Sequence, residues 1–129
     1  MEEGVSPSES VTRFITQKSY YRSSNYTVRH NAFMPNRDGE TSIYRIIDLH
    51  DEEIFAIGRH FVADKLKQPL IGRADIVVSE ILGRDLRVEP CPNPHPRHAN
   101  IVEWPEDESK HKLIALELAA EAELLLISP

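Results

Sequence analysis

Two histidines, His30 in the run TVRHNAF and His98 in PHPRHAN, are the side chains of this sequence best suited to acid/base work. Imidazole titrates near neutral pH, and a pair of them can serve as base and acid in the cleavage of a phosphoester. Arg29, Arg45 and Arg97 could hold phosphate oxygens through paired hydrogen bonds, with His98 and Asn100 as further donors. Two functions follow from these residues. Anion binding needs only that the arginines come near one another; a metal-independent phosphodiesterase or nuclease needs His30 and His98 to converge as well. Each residue also has a plain structural role open to it: His30 bonded to a neighbour on a strand, His98 bonded to backbone, and Arg45 paired with one of the abundant carboxylates.

A third chemistry is suggested by EPCPNPHPRHANIVEW, residues 89 to 104, where proline occupies every second position from Pro90 to Pro96. Cys91, His95 and His98 are zinc-ligand types, but a structural zinc site normally draws on four protein ligands, and Cys91 is the single cysteine. Proline fixes φ and makes the preceding residue extended, so 89 to 96 is expected to be a stiff bridge. Along such a bridge His95 and His98 stand about 9 Å apart, which assigns no metal to the loop and shifts attention to its exit at Arg97, His98 and Asn100. Cys91 as a nucleophile would want a neighbouring base, and with His95 four residues away on a stiff segment a buried or inert thiol is the better expectation. No Gly-x-Ser-x-Gly, phosphate-binding glycine loop or His-Glu-x-x-His occurs, and no cofactor is implied. YYRSSNY at 20 to 26 offers aromatics that could stack on bases or simply anchor a loop.

The elements that must position these residues read as follows. VTRFIT at 11 to 16 is a strand. YTVRHNAFM (26 to 34) and TSIYRII (41 to 47), joined through PNRDGE, suggest a β-hairpin that carries His30 on its first strand and places Ile43, Arg45 and Ile47 on one face of its second. Asp48 looks like the N-cap of a helix from about 49 to 67, with Gly58 on its apolar stripe where another backbone could come close, and Pro69 at its end. The spacing of Ile71, Ala74, Val77, Val78, Ile81 and Leu82 predicts a helix over 72 to 82, with a strand hairpin turning at GRD as the alternative. LRVEP (86 to 90) and ANIVEW (99 to 104) are strands, and 107 to 127 is a helix of good helix formers.

This order gives an α+β protein: one small domain, residues 11 to 129, with an antiparallel sheet of four or five strands and about three helices on one face, preceded by a flexible lead-in at 1 to 10. With 40% hydrophobic and 28% charged residues, and no apolar run of the roughly 18 residues that a membrane span needs, a soluble cytoplasmic protein is expected. A net charge of -6 excludes a broadly basic nucleic-acid binder. The charge is uneven, however. Residues 11 to 37 hold Arg13, Lys18, Arg22, Arg29 and Arg37 without one Asp or Glu, so a local basic face is possible. The expected function is a binding or accessory module that engages a phosphate-bearing ligand, a nucleotide or nucleic-acid phosphate, or a protein partner. The wide apolar arc of the last helix suggests a homodimer or a larger partner.

Overall fold

The computed structural model describes residues 4 to 127. Its centre is a six-stranded sheet in which every pairing is antiparallel. The strands are β1 (Ser10–Ile15), β4 (Thr41–Arg45), β5 (Gly72–Val77), β6 (Arg87–Pro90), β7 (His98–Val102) and β8 (Glu123–Leu126), in the order β6-β7-β4-β1-β5-β8. A second, two-stranded sheet pairs β2 (Tyr21–Arg22) with β3 (Thr27–Val28). The α+β class and the antiparallel sheet expected from the sequence are what the fold has, with six strands where four or five were counted.

Strand alternation sends neighbouring residues of the sheet to two separate cores. Val11, Ile15, Ile43, Ala74, Ile76, Ala99 and Ile101 face the helices α3 (Val78–Leu82) and α4 (His111–Glu121). Phe14 and Tyr44, one position out of phase, face the helix α1 (Asp51–Gly58) through Ile54 and Ile57. The helices therefore lie on both faces of the sheet rather than on one. The physical reason is that β1 and β4 carry large apolar side chains at consecutive positions, and each such side chain stabilises by about 1.5–3 kcal/mol only when it is covered.

The first helix begins after His50, whose backbone N–H donates to Glu53 Oε1 at 2.9 Å; Asp48, expected as the cap, instead takes a left-handed φ of 63° before it. The helical path passes through a π-helical turn (Arg59–Ala63) into α2 (Asp64–Leu66) and stops at Lys67. Gly58 does mark a close approach: a Cβ there would lie 2.7 Å from the Phe14 ring and 3.0 Å from Leu70.

Three expected elements differ. The hairpin of 26–34 with 41–47 does not form, because β4 is already flanked by β1 and β7, leaving no free edge for Tyr26–Met34. Thr27–Val28 pairs with β2, and His30–Ala32 forms a 3₁₀ turn. The PNRDGE segment is still a turn, closed by Asn36 Oδ1 accepting the N–H of Asp38 and of Glu40. The helix expected over 72–82 is a strand to Val77 and helical only from Val78. β5 is buried on both faces, so the alternation that would have marked it as a strand is lost. Lastly, the helix expected over 107–127 ends at Glu121, and Glu123–Leu126 adds β8 to the edge of β5. Satisfying that edge outweighs the helix propensity of the leucines. Gly72 makes the pairing possible, since a Cβ there would stand 2.5 Å from the Leu125 carbonyl oxygen. Of the lead-in at 1–10, Met1 to Glu3 lie outside the described residues, while Glu9 is buried and Ser10 opens β1.

Candidate functional site

The residues singled out in the sequence separate into two regions. His98, Arg97, Arg45 and Asn100 stand around the exit of the proline-spaced loop. His30 and Arg29 stand on the other side of the sheet, against α4.

At the loop exit, β7 pairs Tyr44 with His98 and Ser42 with Asn100. The His98 ring packs beside Tyr44 and is buried; its Nδ1 donates to the Cys91 carbonyl oxygen at 2.9 Å, since a carbonyl can only accept. Nε2 is thereby left as an acceptor, and the Ser42 hydroxyl donates to it at 2.7 Å. Both ring nitrogens are satisfied. Ser42 has no signal in the sequence, because only the register of β4 and β7 brings it to His98. The rest of the loop folds back over the sheet: His95 contacts Tyr44 and Phe61, and its Nδ1 accepts the N–H of Arg97. Burial, and then the Arg97 charge, hold the His95 imidazole below its ordinary range. Cys91 Sγ is turned toward the Asn93 carbonyl at 4.0 Å. Among the described residues no group of three or more His, Cys, Asp or Glu side chains could hold a metal ion.

Arg45 and Arg97 do come together, in a cleft of about 440 Å³ shared with Gly4, Ser6 and Glu9. Arg45 grips the Glu9 carboxylate with Nε at 2.9 Å and Nη2 at 3.0 Å, and the Glu9 side chain is 1% exposed. Burial would raise the Glu9 carboxyl, but hydrogen bonds from Arg45 and the Ser6 N–H, with the charges of Arg45 and Arg97, hold it below the usual carboxylate range. Arg97 Nη1 donates to the Ile47 carbonyl at 2.7 Å. The cleft thus carries its own counter-anion, and Arg45 has the salt bridge that the excess of acids made available.

Across the sheet, His30 opens the 3₁₀ turn that packs on α4. Its turn leads into Ala32 and Phe33 of the core on that face, whereas His98 belongs with Tyr44 on the opposite face. The two histidines do not converge, so the pair required for phosphoester cleavage is not assembled. What surrounds His30 instead is positive charge. Partial burial and the charges of Lys112, Arg29 and Arg22 all push its imidazole below its ordinary range. Among the described residues none of these three cations is paired with a carboxylate, and Arg29 Nε is buried without a hydrogen-bond partner. Arg22 and Arg29 come from the acid-free stretch at 11–37. Lys112 comes from the first turn of α4 and is recognisable only once the turn is seen to pack there.

A cleft of about 570 Å³ lies between the 34–39 turn and Trp104–His111; Arg37 there shares a lining with Asp38, Glu106 and Glu108, and no predicted site residue lines it. Another buried cation, Arg73, is held between Asp75 and Asp51 with its guanidinium over Phe55, tying α1 to the sheet. No helix among the described residues is long and apolar enough to cross a membrane. No family model matches the chain, and no curated protein or solved structure gives a significant match.

Proposed function

We propose that this protein is a binding module for a phosphate-bearing anion, and that the anion sits among Arg22, Arg29, His30 and Lys112. One observation carries the reading. In a chain with 21 acidic residues against 15 Lys and Arg, the charges of Lys112, Arg29 and Arg22 all act on one imidazole, and none of the three has a carboxylate partner among the described residues. Like charges held together are unfavourable, and an arrangement of this kind is relieved by a bound anion that accepts their charge-assisted hydrogen bonds.

Calorimetric titration with inorganic phosphate tests it. Arg29→Ala and Lys112→Ala should each weaken binding about tenfold, the size of one hydrogen bond to a charged group, and the loss should shrink as salt is added. Unchanged affinity in both variants would remove the site.

Association through α4 is a second reading, favoured by Leu113 and Leu116, which are 60% and 40% exposed on that helix. A sedimentation measurement that finds only monomer would set aside a homodimer.

A further inference from the structure

Arg22, one cation of that cluster, lines a groove of about 460 Å³ between the β2–β3 turn and α4. Arg22 belongs to both: its charge acts on His30, and its side chain lines the groove. The second link is α4 itself. Lys112, Leu116 and Ala120 recur at four-residue spacing on one helix face, so the cation lies one turn before the apolar wall formed by Leu116, Ala119 and Ala120.

The opposite wall is the turn that carries Asn25 and Tyr26. Tyr26 is 66% exposed and holds a left-handed φ of 55°, which costs a bulky residue on the order of 1 kcal/mol or more. That conformation presents a bare aromatic ring at the groove. The Thr27 hydroxyl donates to Asn25 Oδ1 at 2.8 Å, leaving the amide N–H₂ of Asn25 with no partner among the described residues. An apolar wall, an exposed ring and a free amide donor, with Arg22 on the same groove and Lys112 one helical turn before its wall, match one ligand chemistry: a planar heteroaromatic base joined to a phosphate. The volume falls in the usual range of small-ligand sites, about 300–1,000 Å³.

We infer that the ligand is a phosphorylated nucleoside, with its phosphate on the Arg22, Arg29, His30 and Lys112 cluster and its base in the groove, stacked on Tyr26 and hydrogen-bonded by Asn25. This rests on the anion site proposed above. Base stacking on one aromatic side chain stabilises by about 1–3 kcal/mol, enough to separate nucleotide from phosphate by roughly tenfold or more.

Calorimetry on the full chain with four probes tests the inference: inorganic phosphate, ribose 5-phosphate, AMP, and a five-nucleotide adenosine strand with a 5′-phosphate. AMP should bind at least about tenfold more tightly than ribose 5-phosphate. Tyr26→Ala and Asn25→Ala should bring AMP down toward ribose 5-phosphate while leaving inorganic phosphate unchanged. A strand that binds no better than AMP identifies the free nucleotide as the source of this chemistry; tighter binding with steeper salt dependence identifies a single strand. Equal affinity for AMP, ribose 5-phosphate and phosphate would overturn the base site and leave the anion site standing. Absence of binding by all four probes would overturn both. Tyr26 is exposed, so its replacement should leave folding intact, and an unchanged AMP affinity in Tyr26→Ala would contradict the stacking.

Discussion

The two arginine-bearing regions of this protein differ in what balances their charge. At the proline-loop exit, Arg45 has a buried glutamate, Arg97 has a backbone carbonyl, and both nitrogens of His98 have partners within the fold. Around His30 the charges of three cations act, and none of the three is paired with a carboxylate among the described residues. Groups whose bonds close within the fold stabilise it; groups whose bonds stay open are the ones a ligand can complete. On the function proposed above, the loop exit, which looked the richer site in the sequence, is the structural region, and the acid-free stretch supplies the binding one.

Breaking each region should produce a different kind of loss. The largest effect is expected from Glu9→Ala, which removes the buried carboxylate that Arg45 grips and should destabilise the fold by about 3 kcal/mol, read from chemical denaturation. A loss under about 0.5 kcal/mol would show that the pair behaves like a surface contact. The same residue predicts an acid dependence. Because folding lowers the Glu9 pKa, its contribution is present above the unfolded value near 4.5 and disappears as pH falls through the lower folded value. Glu9→Gln should flatten that part of the stability profile.

Arg29→Ala and Lys112→Ala come next. They should weaken phosphate binding about tenfold while leaving the denaturation midpoint essentially unmoved, whereas Arg97→Ala should leave binding as it is. An Arg97→Ala variant that loses phosphate affinity would reverse the assignment of the two regions. The smallest effect should be that of Ser42→Ala, about 1 kcal/mol of stability with phosphate affinity unchanged, as for one hydrogen bond lost to a buried imidazole.

Much of the sheet was legible in the sequence, because β1, β4, β6 and β7 carry β-branched residues bounded by turns or proline. β5 was not, since burial on both faces erased its alternation, and β8 was not, since four residues rich in leucine suit a helix until an unpaired edge lies beside them. The site divides in the same way. Arg29 and His30 were visible as candidates, and Arg22 as part of a run without acids. Their association with Lys112, some eighty positions later, is a product of topology, as is the meeting of Ser42 with His98. The His30–His98 pairing failed for a related reason: it assumed that His30 stood on a strand of the main sheet, and the turn at His30–Ala32 takes it to the α4 side.

The most direct test of the account is an NMR titration of the His30 imidazole with and without sulfate, at constant ionic strength, since the charge of sulfate does not change near neutral pH. In the free protein the midpoint should lie below 6.5, held down by partial burial and by Lys112, Arg29 and Arg22. An anion seated among those cations offsets their repulsion, so sulfate should raise the midpoint, and by linkage the affinity should increase as pH falls through it. A His30 midpoint that sulfate leaves unmoved, in a protein that still binds phosphate, would place the anion elsewhere and contradict the central claim.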